Sequence, residues 1–491
     1  MRIVHICSES VPWAKTGGLA DVAGALTSYL AQKGHEVTLF LPSYRSVREA
    51  GYEPGAQVLE LGPAELGLPA SAAIRPLEGP SGLEVRLVDA PELFDRTGLY
   101  GDASGDYPDN LRRFTVLCRA ALCALDEPPE ILHVHDWQTA LVPVLLQSGL
   151  PPGARALAGK LPASVMTIHN LAYQGRFPAD AWSDTGLPPE WFRADRLEYY
   201  GGINLLKGGM VAADCVTTVS PTYAREIATP EFGFGLEGVI GALPRPVTGI
   251  LNGIDTVTWN PADDPFLDGA YDISDRTGKA GLKRELLAEF GLEADPDLPL
   301  FGFVSRLVDQ KGLPLLEALA DRFATWPARF TFLGSGEPRY ERLIEKLATE
   351  SRHVGARVAF SERLAHLIEA GSDFFLMPSA FEPCGLNQMI SQRYGTVPIV
   401  HGVGGLADSV VPLSPEALAD GRATGIVFRR FDPEAFGAAI DSALALYEKS
   451  AEMESVIQAG MAADFSWEAS GRTYEQLYQQ LYQEMNADGN R

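Results

Sequence analysis

Two glycine-rich turns carry residues suited to binding a phosphate group. The pentapeptide Gly-Gly-Leu-Ala-Asp occurs at residues 17–21 and again at 404–408, each time between an apolar strand and a helical pattern. Glycines there let a ligand approach the backbone, and the N–H groups and helix dipole favour an anion. Lys15 precedes the first pair, where its ammonium would meet the phosphate; a solvated lysine before a tight turn is the alternative. The repeat predicts two similar α/β domains that bind one phosphate-bearing ligand.

A pair of cations follows a buried strand in the other half of the chain. Arg306 leaves the strand end and Lys311 lies in the same loop. Arginine binds a diphosphate bidentately and lysine adds a point charge, so the pair predicts a diphosphate clamp. An ordinary exposed loop is the alternative. It is weakened by the acidic background of 64 acidic against 40 basic side chains.

A carboxylate follows a further strand of the same half. Pro383 and Gly385 fix a tight turn that would project Glu382 from the strand end. There it would accept sugar hydroxyls or stabilise a cationic sugar centre. The alternative is a carboxylate that only complements a helix dipole.

Histidines end two strands of the first half. His133 and His135 accompany Asp136 and Trp137, and His169 ends the next strand. The group predicts a polar pocket in which the indole ring stacks on a sugar. A zinc site is the weaker alternative, because neither a cysteine nor a histidine from a third strand is expected to complete the ligand set.

The elements that position these residues alternate between strand and helix. In the first half, strands are predicted at 2–7, 37–41, 83–88, 131–135, 165–168 and 215–219. After a predicted linker at 242–246, further strands are expected at 300–304, 330–333, 358–360, 374–377, 397–400 and 426–428. This pattern indicates mainly parallel, doubly wound sheets, whose ligands lie beyond the carboxyl ends of the strands. An apolar stripe in the C-terminal segment predicts a helix that docks onto a domain, with oligomerisation as the alternative; it comprises Tyr474, Leu477, Tyr478 and Leu481.

The composition limits the class of partner. A chain of 491 residues with 46% hydrophobic residues should form two or more globular domains. Its formal net charge of −24 disfavours nucleic acid and anionic membranes, whereas a neutral sugar polymer meets no such barrier. Five cysteines without a C-x-x-C motif predict reduced core thiols. With no apolar run typical of a signal peptide or membrane span, we expect a cytoplasmic protein.

Taken together, these segments resemble bacterial glycogen synthases and the related plant starch synthases over nearly the whole chain. The matching motifs lie at 15–22, 135–137, 169–175, 249–255, 305–312 and 381–386. The resemblance implies the GT-B glycosyltransferase fold, with two Rossmann-like domains at 1–246 and 247–465 facing an interdomain cleft. Residues 466–491 would form a helix crossing back to the first domain. It also implies transfer of glucose from ADP-glucose to the non-reducing end of an α-1,4-glucan such as glycogen, with retention and without a metal or other cofactor.

The resemblance further assigns roles to single residues. The diphosphate ligands would be Lys15, Gly18, Arg306, Lys311, Gly404 and Gly405. The glucose and reaction centre would be surrounded by Asp21, Asp136, His169, Asn170, Asn252, Glu382, Cys384 and Gly385, with His169, Glu382, Arg306, Lys311 and Asp136 as the catalytic set. Three positions depart from the family. His401 and Val403 replace the usual arginine and threonine before the second glycine pair, which removes a cation and a hydroxyl on the phosphate side. Phe360 replaces a common base-stacking tyrosine, and its ring is expected to stack on the base without the hydroxyl.

Two alternatives stay open. One is another GT-B glycosyltransferase that uses a UDP- or GDP-sugar; at the spacing where many of those enzymes carry a second glutamate after the first, this chain has Ile390. The other is a non-catalytic glucan-binding protein. The complete set of Lys15, Arg306, Lys311 and Glu382 argues against it, because sugar binding alone needs no diphosphate clamp.

Overall fold

The chain folds into two compact units. The computed structural model describes residues 1–50, 57–60, 71–102, 104–295 and 297–487. The first unit comprises Met1–Gly253 together with the C-terminal segment from Trp467, and the second comprises Ile254–Ser466. The division falls after Gly253, so the predicted linker at 242–246 lies inside the first unit. There Arg245 forms an ion pair with Glu484 of the C-terminal segment, at 2.7 Å.

A twisted, mostly parallel sheet forms the centre of the first unit. Within the described residues its nine strands have the order β14-β13-β9-β8-β1-β2-β5-β4-β3, and only the β3–β4 and β4–β5 pairs are antiparallel. Small antiparallel sheets form from β6 with β7 and from β10, β12 and β11. The strands are β1 Arg2–Ile6, β2 Glu36–Pro42, β3 Gln57–Glu60, β4 Ser71–Glu78, β5 Glu84–Asp89, β6 Gly101–Asp102, β7 Gly105–Asp106, β8 Ile131–His135, β9 Ala163–Ile168, β10 Arg176–Pro178, β11 Glu198–Tyr199, β12 Gly202–Asn204, β13 Cys215–Thr218 and β14 Thr248–Gly249.

Helices between the strands cover this sheet. They are α1 Gly18–Gln32, α2 Arg45–Glu49, α3 Pro91–Phe94, α4 Asn110–Cys123, α5 Asp136–Thr139, α6 Leu141–Ser148, α7 Leu205–Ala212, α8 Pro221–Glu226 and α9 Glu237–Gly241. α1 ends before Gly34, as predicted: its φ of 83° lies in the left-handed region that glycine adopts without strain.

The second unit contains a wholly parallel sheet in the order β17-β16-β15-β18-β19-β20. Its strands are β15 Leu300–Val304, β16 Arg329–Gly334, β17 Val354–Val358, β18 Phe374–Met377, β19 Val397–His401 and β20 Ile426–Phe428. The predicted strand at 358–360 is therefore wrong, because pairing with β16 ends at Val358. Ser361 then caps the next helix by accepting a hydrogen bond from the N–H of Leu364.

The helices of the second unit bury the two faces of its sheet. They are α10 Thr277–Glu289, α11 Leu313–Ala318, α12 Pro338–Glu350, α13 Glu362–Gly371, α14 Asn387–Arg393, α15 Gly404–Ser409, α16 Pro415–Ala419, α17 Pro433–Tyr447 and α18 Ser450–Ala462. Stacked rings form part of the core: Phe301 lies 5.0 Å from both Phe330 and Phe374, measured between ring centroids. Because both faces of this sheet are buried, its strands appear in the sequence as continuous apolar runs.

The C-terminal helix α19, Trp467–Ala487, belongs to the first unit. Tyr474, Tyr478 and Leu481 of the predicted stripe are buried, and α19 packs against α1. In the described structure the helix thus packs within the first unit. None of the helices in the described part of the chain combines the length and apolar character needed to cross a membrane.

Candidate active site

The first glycine turn pairs two of the predicted ligand residues. α1 begins at Gly18, and Gly17 caps it with an extended backbone. Nζ of Lys15 lies 2.7 Å from Oδ1 of Asp21, one turn into the helix. Lys15, which is predicted to bind phosphate, therefore neutralises Asp21, which is predicted to bind sugar. Half of the Lys15 side chain stays exposed.

The Glu9 carboxylate stabilises this turn through hydrogen bonds, although the sequence analysis did not predict a role for it. Its buried carboxylate accepts hydrogen bonds from the backbone N–H groups of Thr16, at 2.5 Å, and Gly17, at 3.3 Å. The Tyr100 hydroxyl donates to its other oxygen at 2.8 Å. Burial raises the pKa of Glu9 in spite of these donors. The sequence signal that could have identified Glu9 is its position shortly after the end of β1, because Asp136 likewise follows the end of β8.

Asp136 begins α5 at the carboxyl end of β8, with φ at 54°. Its carboxylate accepts hydrogen bonds from the backbone N–H of His169, at 2.6 Å, and of Asn170, at 3.5 Å. Burial raises the pKa of Asp136 to about 7, against these two donors. The structure thus brings together three predicted site residues, and it joins the end of β8 to the loop after β9.

The histidines form a buried array rather than an open pocket. Nδ1 of His135 lies 3.0 Å from Nε2 of His169, and Nε2 of His135 lies 3.1 Å from Nδ1 of His5. Burial lowers the pKa of His5 and of His169 to about 3. His5 on β1 is the third-strand histidine that sequence reasoning did not expect, because a strand buried on both faces gives no sign of which way a side chain points.

Trp137 lies in the core, so the prediction of a sugar-stacking ring at this position is wrong. Only 9% of the residue is exposed. Its ring packs edge-on against Phe114 and Phe177, with centroids 5.2 and 5.8 Å apart. A Cβ at Gly175 would come within 2.6 Å of the indole, which explains the glycine.

Three histidines offer nitrogen ligands for a metal ion. The ligand atoms of His5, His133 and His135 lie within 4.8 Å of one another. Both nitrogens of His133 are hydrogen-bonded, however: Nδ1 to the Tyr478 hydroxyl and Nε2 to the Thr167 hydroxyl, each at 2.6 Å. Zinc sites use at least three protein ligands, so ion binding here would require the loss of a His133 hydrogen bond.

Asn252 lies at the end of the first unit and is 5% exposed. Its Oδ1 has no hydrogen-bond partner among the residues that the structure describes. A buried amide oxygen without a donor costs free energy, and a ligand hydroxyl would supply the donor. This agrees with the predicted role in sugar binding, which stays a prediction.

In the second unit, Lys311 and Glu382 form a close ion pair. Nζ of Lys311 lies 2.6 Å from Oε2 of Glu382, and the Ser379 hydroxyl donates to the same oxygen at 2.9 Å. The loops meet because β15 and β18 are neighbours in the sheet. Gly312 permits the approach: its φ is 81°, and a Cβ would lie 2.0 Å from the carbonyl oxygen of Pro378.

Arg306 is exposed in the loop after β15. Its guanidinium forms no ion pair or hydrogen bond with any described residue, unlike that of Arg339 in the first turn of α12, which is paired with Asp309. Within the second unit, the structure therefore presents one free cation and one carboxylate-bound cation in the same loop. Arg306 needs to break no protein contact to bind an anion.

The second glycine pair supports the turn that carries Glu382. A Cβ at Gly404 would lie 1.9 Å from the carbonyl oxygen of Glu382, and one at Gly405 would lie 2.1 Å from that of Cys384. The N–H of Gly405 donates to Glu382 O at 3.1 Å and to Pro383 O at 3.2 Å. This N–H is therefore already occupied, which departs from its predicted role as a phosphate donor. Gly385, with φ at 70°, completes the turn.

Phe360 lies between β17 and α13 and is 90% exposed. An aromatic ring with so little burial contributes little to the core, and a flat ring in this loop agrees with the predicted stacking on a nucleobase. That role remains a prediction.

Comparisons with known proteins match both halves of the chain. The profile of the starch synthase catalytic domain matches residues 2–242, and that of glycosyl transferases group 1 matches residues 288–458. A glycogen synthase from Myxococcus xanthus is 48% identical over 97% of this chain and 98% of the relative. Glycogen synthase 1 from Methylococcus capsulatus is 42% identical over 99% of this chain and 98% of the relative.

The chain belongs to the glycogen synthase family. A solved structure of the same family, the catalytic domain of starch synthase IV from Arabidopsis thaliana bound to ADP and acarbose, has a TM-score of 0.87. It is 35% identical and is matched over 98% of this chain and 99% of its own. The predicted fold class, an α/β protein with two Rossmann-like domains of the GT-B type, is confirmed for this family member.

Proposed function

We propose that the chain is a retaining glucosyltransferase that moves glucose from ADP-glucose to the non-reducing end of an α-1,4-glucan in glycogen synthesis. The observation that supports this best is the ion pair of Lys311 and Glu382, in the same loop region as Arg306, which has no ion pair or hydrogen bond with any described residue. A sugar–diphosphate donor presents both charges that such a set would bind. Its diphosphate is anionic, and its sugar becomes cationic as the bond to the leaving group breaks.

The cations of the second unit stabilise the leaving group. When the C1–oxygen bond breaks, negative charge develops on the diphosphate. Arg306 would accept it bidentately, and Lys311 would add its charge by exchanging part of its contact with Glu382 for a phosphate oxygen. The acceptor hydroxyl then bonds to C1 and passes its proton to the departing diphosphate. ADP and a glucan longer by one glucose are the products.

The carboxylates hold the sugar in this proposal. Glu382 is released from Lys311 toward the sugar hydroxyls, and Asp136 remains tied to the backbone of His169. We favour departure and attack on one face of the sugar over a covalent intermediate on Glu382. In this route the His169 carbonyl oxygen assists the developing positive charge at C1.

Separate observations support the proposed donor base and the proposed compartment. The exposed Phe360 ring would stack on adenine, and the starch synthase IV structure contains ADP and acarbose. All five cysteines are buried and none of them forms a disulfide, as expected for a protein of the reducing cytoplasm.

Glucose transfer tests the proposal directly. The purified chain is incubated with glycogen and with labelled ADP-glucose, UDP-glucose or GDP-glucose in parallel, and label in polymer is counted. We expect incorporation from ADP-glucose above the other two donors. Preference for UDP- or GDP-glucose would favour another GT-B activity. Glycogen binding without incorporation from any donor would favour the non-catalytic alternative.

A further inference from the structure

Three imidazoles form one hydrogen-bonded row inside the first unit. His5 lies on β1, His135 ends β8 and His169 follows β9, and these three strands are adjacent in the sheet. The nitrogen–nitrogen distances are 3.1 Å between His5 and His135 and 3.0 Å between His135 and His169. His5 and His135 are fully buried, whereas His169 keeps 9% of its surface exposed. The row therefore leads from the core to a predicted site residue.

Each imidazole in the row is neutral, since burial lowers the pKa of all three histidines well below its usual range. A neutral imidazole carries one N–H donor and one acceptor nitrogen. His135 uses both nitrogens, so its choice of protonated nitrogen fixes the direction of both bonds. Only two arrangements satisfy the row. Either every bond runs from His169 toward His5, or every bond runs from His5 toward His169.

The two arrangements differ at the buried end of the row. If the bonds run toward His5, its Nε2 must carry a proton, and that Nε2 has no hydrogen-bond partner among the described residues. If they run toward His169, Nε2 of His5 is a bare lone pair. A buried N–H without an acceptor is rarer in proteins than an acceptor without a donor, so the second arrangement is favoured.

We propose that His5 and His135 are positioning residues that hold His169 in the tautomer protonated on Nδ1. Nε2 of His169 accepts the hydrogen bond from His135, and Nδ1–H becomes a donor. Nδ1 has no partner among the described residues, so it is available to an oxygen of the bound sugar or acceptor. The inference rests on the proposed function for the identity of that oxygen, but the tautomer itself is independent of it.

The tautomer is measured on the wild-type chain. Long-range nitrogen–proton correlation spectra are recorded at neutral pH with isotope-labelled histidine, and His169 is assigned by its loss in His169→Gln. We expect a protonated Nδ1 and an unprotonated Nε2. A protonated Nε2, or an even mixture, would overturn the proposal. So would zinc bound by His5 and His135, detected by metal analysis, because a metal would replace the shared proton.

His135→Asn tests the functional consequence. An amide can rotate to donate or to accept, so the hydrogen bond survives while the tautomer of His169 is released. We expect mixed tautomers and a fall in kcat of about 10-fold, as for other orienting partners, with little change in KM for ADP-glucose.

His133→Asn is the matched control, since His133 is equally buried on the same strand but bonds Tyr478 and Thr167 instead of the row. It should lose stability and keep both the His169 tautomer and kcat. Equal losses of kcat in the two variants would reduce His135 to a packing role. If His135→Asn does not fold, the wild-type spectrum decides alone. Absence of wild-type transfer with the expected tautomer would refute the proposed function and leave this inference standing.

Discussion

Lys311 Nζ and Glu382 Oε2 are 2.6 Å apart, although the two residues belong to loops that follow different strands. Glu382 is 6% exposed, so its buried carboxylate relies on this partner and on Ser379 for polar contacts. A buried pair of this kind contributes little net stability compared with an apolar contact. Its retention suits a site in which each member exchanges its partner for a group of the substrate.

Substitution of either cation of the predicted diphosphate clamp, Arg306 or Lys311, should lower the transfer rate strongly. The two substitutions should differ in their effect on the free energy of unfolding. Arg306→Ala and Lys311→Ala should each lower kcat by about 10²–10³, as expected for loss of a well-placed donor. Arg306→Ala should change the free energy of unfolding by less than about 0.5 kcal/mol, since the side chain is exposed and unpaired among the described residues. Lys311→Ala should cost about 1–3 kcal/mol because Glu382 loses a partner.

Urea unfolding and initial rates measure both effects. Lys346→Ala, which removes an exposed cation of the same unit, is the control and should match wild type. Lys311→Arg should not restore the rate fully, because the planar fork does not reproduce an ammonium. A wild-type rate in either clamp variant would contradict the assignment.

Glu382 distinguishes the two routes to retention. Glu382→Ala should be badly impaired in both. Glu382→Gln keeps the shape and hydrogen bonds, so it should retain measurable transfer if the carboxylate only holds hydroxyls. Added azide should then give no glycosyl azide. An inverted azide product, detected by mass spectrometry and nuclear magnetic resonance, would instead identify Glu382 as a nucleophile.

Phe360 should contribute to donor binding and not to folding. Loss of one base-stacking ring typically costs about 1–3 kcal/mol of binding, so Phe360→Ala should raise KM for ADP-glucose about 10-fold or more. Phe360→Tyr should bind at least as well as wild type. Val257→Ala, at a residue that is 81% exposed, controls for removal of surface apolar area. An unchanged KM for Phe360→Ala would place the base elsewhere.

Asp136 makes stability depend on pH. Its pKa of about 7 lies above the usual value of 3.8, so between these pH values the folded chain binds more protons than the unfolded chain. Its contribution to stability is therefore lost as pH rises from about 4 toward 7. Asp136→Asn removes this loss and should be more stable than wild type at pH 8, by up to about 4 kcal/mol.

The difference in the free energy of unfolding between Asp136→Asn and wild type should become smaller when the pH is lowered to about 5. Urea midpoints at the two pH values measure it. Transfer activity should fall in the same variant, because a neutral amide cannot replace a carboxylate toward sugar hydroxyls. A constant stability difference across the pH range would show that Asp136 does not titrate in this window.

Metal removal should leave activity intact. Arg306 and Lys311 of the second unit together match the charge of a diphosphate, so transfer should persist in excess EDTA. Initial rates before and after dialysis against the chelator provide the test. Complete loss of transfer, restored by magnesium or manganese, would indicate a metal-dependent mechanism.

Sequence reasoning located strands better than contacts. β15 and β18 were predicted at their observed bounds, because each is an apolar run closed by polar residues. The apolar residues at 358–360 misled the strand prediction, since Phe360 is apolar for reasons other than burial. The burial of Trp137 and the approach of His5 depend on how strands and loops pack, which local patterns do not report.

The sequence indicates candidate site residues one by one but not the pairs that they form. Strand-end positions identified Glu382 and Lys311, yet their ion pair requires the strand order that makes β15 and β18 neighbours. Glu9 shares the strand-end signal and was passed over, because a lone glutamate has no motif around it. The hydrogen bonds of the Gly405 N–H could not be predicted either. A glycine pattern indicates a flexible backbone but not the direction of its N–H group.

The docking of α19 makes the second unit an insertion within the first. Gly471 leaves room for the Tyr29 ring, and the Tyr478 hydroxyl bonds His133 beneath the row of imidazoles. On the ribosome, all of Ile254–Ser466 is therefore synthesised before the first unit can close its core. During synthesis, the surface that receives α19 stays uncovered until that helix has been made. A chain truncated before α19 would leave this histidine-bearing surface exposed to cellular quality control.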